Sequence, residues 1–199
     1  MTPRRVVIAS ANAGKLAEMR AWLGPLGLSV AAQNDWGIAA AAETGLSFVE
    51  NAIIKARHAA RATELPALAD DSGLEVDALD GAPGIYSARF AGGGGDQANI
   101  AKLLQQLAGV AEGRRQARFR CVLAYLRHAE DPSPLICQGT WEGVILSAPR
   151  GRHGFGYDPV FRPIDSTRSA AELPPEEKNR VSHRAQAMRR LVEELRQRG

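Results

Sequence analysis

Within its first 32 residues the chain switches between two residue periods, and that switch limits the folds open to it. Arg5 to Ala9 is a short β-branched run that stops at Ser10-Ala11-Asn12-Ala13-Gly14. Leu16, Met19, Trp22 and Leu23 then follow at helical spacing, and after the breakers Gly24-Pro25 and Gly27 the segment Leu28 to Ala32 reads as a second strand. Strand, loop, helix, strand is the opening of a mixed α/β protein.

Later segments repeat the mixture. Ser47 with Glu50 three residues on is a capping-box pattern, and Phe48, Ala52, Ile53, Ala56 and Ala59 carry a long helix to about Ala62. After Pro66, the short apolar run Ala67 to Ala69 is expected to enter an acidic turn, Asp70-Asp71-Ser72-Gly73, ahead of a short strand from Leu74 to Ala78. Gly81 to Ala88 reads as a loop, and the glycine run Gly92 to Gly95 precedes a helix from about Gln97 to Leu107. Phe119, Cys121, Leu123 and Tyr125 alternate with Arg118, Arg120 and Val122, the period of a half-buried strand, and Leu135 to Leu146 is its expected antiparallel partner through the Asp131-Pro132 turn. Residues 150–184 are rich in Gly, Pro and polar groups with weak periodicity, the composition of a functional or a disordered loop. A terminal helix, Ala185 to Gln197, turns Met188, Leu191, Val192 and Leu195 inward.

At 199 residues and 45% hydrophobic content, one domain covering 1–199 can bury a substantial core. No apolar run approaches the roughly 20 residues that span a bilayer, and Val6 to Ala9 is too short for a signal peptide. Cys121 and Cys137 lack metal-site spacing and read as buried, reduced thiols, so a soluble cytoplasmic protein with no membrane partner is expected. The net charge of +3 gathers in Arg114, Arg115, Arg118 and Arg120 and again from Arg180 to Arg198. Without interleaved aromatics these clusters read as solvated faces or as cations for a phosphorylated small molecule, and no nucleic-acid partner is expected.

Four segments could carry chemistry. Ser10, Ala11, Asn12, Ala13, Gly14 and Lys15 lie between a strand end and a helix start, where backbone N–H groups and a lysine attract phosphate; the spacing is not that of a Walker loop, and a plain structural turn would look similar. Asp70 and Asp71 are like charges that persist where a cation or solvent stabilises them, and Mg²⁺ takes such carboxylates together with phosphate oxygens. In Gly154-Phe155-Gly156-Tyr157-Asp158-Pro159 the two glycines let backbone approach closely while Phe155 or Tyr157 can stack on a base; anchoring a folded loop is the other use of those rings. Lys178, His183 and Arg184 precede or open the last helix, where they can hold phosphate or donate to a purine 6-oxo group, or simply cap the helix.

At these residues the sequence resembles the non-canonical purine NTP pyrophosphatases, also called inosine triphosphate pyrophosphatases. The matching segments are IASANAGKLAEM, ETGLSFVENAIIKARHAA, ALADDSGLEVDALDGAPGIYSARFAG, RQARFRCVLAYL, GFGYDPVF and ELPPEEKNRVSHRAQAM, nearly the whole chain. The resemblance implies an α/β fold with an elongated mixed sheet and flanking helices, two lobes around a central cleft, and a homodimer. It implies hydrolysis of ITP, dITP and XTP to the monophosphate and pyrophosphate with Mg²⁺. Ser10 to Lys15 would hold the triphosphate, Asp71 would be general base and metal ligand, and Ser72 would touch substrate. Phe155 to Asp158 and Lys178 would line the nucleotide pocket, and His183 and Arg184 would read the base. This chain has Ala11 where many members have glycine, and Ala42-Glu43 where members often carry consecutive acids, so either Glu43 or Glu50 substitutes as second ligand or metal binding rests more heavily on Asp71. Rival readings are a pyrophosphatase of modified pyrimidine nucleotides and a nucleotide sensor or RNA-binding protein without turnover.

Overall fold

The computed structural model describes residues 4–198. The opening run forms β1 (Arg4–Ile8), α1 (Ala13–Leu23) carries the chain back, and β2 (Leu28–Ala32) lies parallel to β1 with Val6 opposite Val30 and Ile8 opposite Ala32. Parallel neighbours need a crossover, which α1 supplies. The helix α2 (Phe48–Thr63) begins at Ser47, whose hydroxyl accepts the Glu50 N–H at 3.2 Å, while the Glu50 carboxylate accepts the Ser47 hydroxyl at 2.8 Å and the Leu46 N–H at 2.9 Å. It ends where Glu64 turns left-handed at φ 54°, two residues before Pro66.

Next comes β3 (Ala67–Val76), parallel to β1 with Val7 opposite Ala67. The chain continues through α3 (Gly95–Gln106), β4 (Gln116–Leu126), β5 (Leu135–Ile145), β6 (Phe161–Pro163), α4 (Pro175–Val181) and α5 (His183–Arg198). Among the described residues the strands form one six-stranded sheet in the order β2-β1-β3-β4-β5-β6. β6 is antiparallel to β5, with Ile145 opposite Phe161.

Three expectations need correction. Asp70-Asp71-Ser72-Gly73 is not a turn: the four residues lie inside β3, which runs on unbroken from Ala67. Membership of a strand in the interior of the sheet outweighs the local turn preference of Ser and Gly. Residues 150–184 are not one irregular loop, because they contain β6 and α4. And β4 is not half-buried along its whole length, since Val122, Ala124 and Leu126 are buried as well as Cys121 and Leu123.

The chain resolves into two compact units. The first holds the residues up to Asp71, then Cys121–Gln138 and the chain from Arg184 onward. Alternation along β1 sends Val6 and Ile8 to one face, against Leu16, Met19 and Leu23 of α1 and Met188 and Leu191 of α5. Val7 goes to the other, against Ala52, Ala56 and Ala59 of α2, with Val122 and Ala124 of β4. Each fully buried Leu or Met contributes on the order of 2 kcal/mol. Cys121 and Cys137 are buried thiols, not joined in a disulfide.

The second unit holds Ser72–Arg120 and Gly139–His183. Its core joins Leu74 and Val76 of β3 to Ile100 and Leu103 of α3 and to an aromatic group in which the Phe119 ring lies 4.6 Å from Phe161 and the Trp141 ring 5.5 Å from it. The basic pair on β4 is neutralised within the unit. Arg118 is forked onto Asp77 at 2.7 and 3.0 Å and also reaches Glu142 at 3.1 Å, while Arg120 bonds Glu75 at 3.0 Å. No helix among the described residues is long and apolar enough to cross a membrane.

Candidate functional site

The first unit gathers its charged groups around Asp70 and Asp71. After β1, the Ser10 hydroxyl accepts the Asn12 N–H at 3.1 Å, and the Asn12 side-chain oxygen accepts the Lys15 N–H at 3.0 Å as the cap of α1. Ala11, Asn12, Ala13 and Gly14 are exposed, so this turn offers main chain and the positive end of a helix to solvent. The Lys15 ammonium is ion-paired with Asp70.

Placing Asp70 and Asp71 on a strand changes their relation, because consecutive strand residues point to opposite faces. Asp70 is buried. It accepts Arg184 Nε at 2.9 Å and the Cys121 thiol at 3.3 Å, besides Lys15. Burial alone would raise this carboxyl, but Arg184 and Lys15 outweigh it and hold Asp70 well below the usual carboxylate range. Arg184, itself buried, also reaches Glu18 at 3.1 Å.

Asp71 meets a different set. Lys55 of α2 places its ammonium 2.5 Å from Asp71 and 2.9 Å from Glu43. Burial raises the Asp71 carboxyl; Lys55 pulls it down, Glu43 and Asp70 push it further up, and the balance is a raised value. Burial would lower Lys55, but Asp71 and then Glu43 hold its charge in place. Two carboxylates from different elements thus converge on one cationic point, a donor set suited to a hard divalent ion completed by phosphate oxygens and water. Glu50 is not part of it: its carboxylate is spent on the cap of α2. No cluster of three metal-binding side chains occurs among the described residues.

The second unit builds an aromatic cluster. Gly154 and Gly156 have φ of 78° and 60°, and a Cβ on Gly154 would lie 2.0 Å from the Asp158 carboxylate, so the turn demands glycine there. Asp158, buried, accepts the Phe155 N–H at 2.9 Å and is ion-paired with Lys178, whose ammonium sits 5.0 Å over the Phe155 ring. Gly156 N–H donates to Asp96 at 2.6 Å. The two candidate rings part company here. Phe155 is 42% exposed, whereas Tyr157 is 4% exposed with its hydroxyl donating to the Ser87 carbonyl at 2.9 Å. Phe155 can take a stacked base; Tyr157 anchors the loop. His183 is buried with its ring stacked on Phe119 at 4.9 Å and 14°. Ser72, half-buried, follows Asp71 directly on β3.

Ser10, Asn12, Lys15, Glu43, Asp71 and Arg184 therefore belong to the charged cluster, and Phe155, Gly156, Asp158, Lys178 and His183 to the aromatic side. The sequence reading missed Lys55 and Asp96. Lys55 carried a signal: Phe48, Ala52, Lys55 and Ala59 fall on one helical stripe, and a lysine on a buried stripe needs a carboxylate partner. Asp96 had none beyond its place after the glycine run.

Comparison with known proteins shows the family. A family model described as the Ham1 family matches residues 6–194. A dITP/XTP pyrophosphatase of Shigella flexneri is 57% identical over 97% of this chain and 98% of its own length, and that of Escherichia coli K12 is 56% identical over the same shares. The chain superposes on a HAM1 protein from Coxiella burnetii with a TM-score of 0.93 at 49% identity, covering 98% of this chain and 99% of that one. The Ham1 protein of Staphylococcus aureus gives 0.89 at 38% identity, covering 98% and 100%.

Proposed function

The chain belongs to the Ham1 family, and from that premise we propose that it hydrolyses dITP, ITP and XTP to the monophosphate and pyrophosphate in a Mg²⁺-dependent reaction. The observation that carries the mechanism is the meeting of Glu43 and Asp71 on one cationic point. Those two side chains would hold the metal, which would supply charge screening for the phosphates and Lewis acidity. Ser10, Asn12 and Lys15, with the main chain of Ala11, Ala13 and Gly14, hold the triphosphate, and Ser72 contacts it next to Asp71.

Asp71 is the general base. Its raised proton affinity suits it to take a proton from a water molecule whose oxygen attacks the α-phosphorus in line, and the bond from that phosphorus to the bridging oxygen breaks with pyrophosphate leaving. Lys55 and Lys15 offset the charge that develops. Phe155 stacks on the base. Gly156, Tyr157 and Asp158 shape its pocket, and Lys178 lies over the same ring.

We assign reading of the base edge to His183 and Arg184: donation to a 6-oxo group and acceptance from N1–H would leave polar groups unpaired against adenine, and crowding at the 2-amino group would exclude guanine. The enzyme works as a homodimer in the cytoplasm. Pyrophosphate release from ITP, dITP, XTP, GTP and ATP, with Mg²⁺ and with chelator, tests this. Metal-dependent turnover of the first three over the last two is expected, and equal turnover of ATP and GTP would sink the selectivity argument.

A further inference from the structure

The loop that carries Glu43 is held by a residue with an unusual environment. Asn51, in the first turn of α2, is fully buried, yet its side-chain Nδ2 has no hydrogen-bond partner. Leaving a buried amide group unpaired costs about 1–3 kcal/mol, and the stripe next to it on the same helix is alanine. What the amide does supply is its oxygen, which accepts the Gly45 N–H at 2.9 Å.

Gly45 fits this contact as a piece cut to it. A Cβ there would lie 2.5 Å from Glu50 Cβ and 2.8 Å from the Asn51 oxygen, so the loop main chain is pressed against the helix at that point. Glu50 takes the next N–H, that of Leu46, at 2.9 Å. Two consecutive residues of α2 thereby fix two consecutive residues of the loop, and Glu43 leaves the fixed point two residues earlier. Lys55 stands four residues after Asn51 on the same helical face and donates to the Glu43 carboxylate at 2.9 Å.

We infer that Asn51 is a positioning residue: through Gly45 it sets the main chain from which Glu43 reaches the divalent-cation point shared with Asp71. The inference rests on the reading of Glu43 as a metal ligand. It assigns the retained amide a role in metal affinity instead of in the stability of α2.

The test is Mn²⁺ binding to the full chain without nucleotide, read as free Mn²⁺ by electron paramagnetic resonance. Asn51→Ala is expected to weaken binding about tenfold, the scale for residues that orient a ligand from behind. Gly45→Ala, which leaves the buried amide in place and crowds the same junction, should weaken it similarly, and this variant decides the matter if Asn51→Ala does not fold. Adding Asn51→Ala to Glu43→Gln should change binding by less than about twofold, since the side chain it positions is already disabled. Wild-type affinity in Asn51→Ala and Gly45→Ala, with Glu43→Gln weakened, overturns the inference and leaves the ligand assignment standing. Full multiplication of the two losses in the double variant overturns it too, because Asn51 would then act elsewhere. Unchanged affinity in Glu43→Gln removes the ligand assignment and the inference together.

Discussion

Asp70 and Asp71 are consecutive residues, yet they occupy opposite faces of β3 and behave as different groups. On the α5 face, Asp70 sits between Arg184 and Lys15 and its carboxyl is held far below the usual range. On the α2 face, Asp71 shares a single lysine with Glu43 and its carboxyl is raised. A carboxylate saturated by cations is a poor base and a good strut. One that must share its cation is a better base and welcomes more positive charge.

The comparison breaks most visibly at its buried end. Asp70→Ala leaves the buried Arg184 guanidinium without its main partner, and an uncompensated buried charge costs about 3–5 kcal/mol. Urea unfolding should show a loss of that size, and a loss under about 1 kcal/mol would mean that Asp70 is not the strut described. Asp71→Asn should fold with a transition near that of the wild type and lose turnover of ITP by about a hundredfold or more. Undiminished turnover would remove the base assignment.

A smaller effect calibrates the pair at a carboxylate away from the chemistry. Asp131 accepts Arg127 at 2.6 and 2.9 Å and the Ser133 N–H at 3.0 Å, and the side-chain bonds from Arg127 hold its carboxyl well below the ordinary value. A carboxyl depressed in the folded state contributes stability that is full above its unfolded pKa and is lost as the pH falls through the folded one. With Arg127 largely exposed and screened, Asp131→Asn should cost about 1 kcal/mol near pH 7. That difference should shrink as the pH is taken below about 4, and a difference that grows there would reverse the sign of the assignment.

How much of this could be read beforehand depended on whether local signals or distant pairing decided the outcome. The cap of α2 was legible because Ser47 and Glu50 satisfy each other within one turn. The strand, loop and helix around Ser10 to Lys15 were legible for the same reason. Asp70 to Gly73 misled, since turn-forming residues were overruled by strands that lie far away in the sequence. Lys55 was overlooked because its meaning comes from Glu43 and Asp71, neither of which is its neighbour in the chain. Of Phe155 and Tyr157, only burial tells which ring reaches the surface.

The division of labour between Asp70 and Asp71 rests on nothing more than the pleat of β3. Substituting residues along that strand can be absorbed one position at a time, but inserting or deleting a single residue ahead of Asp70 would exchange the two faces and hand each carboxylate to the other's neighbours. Descendants of this chain are therefore expected to drift in composition along β3 while keeping its length, and to place their insertions in surface connections.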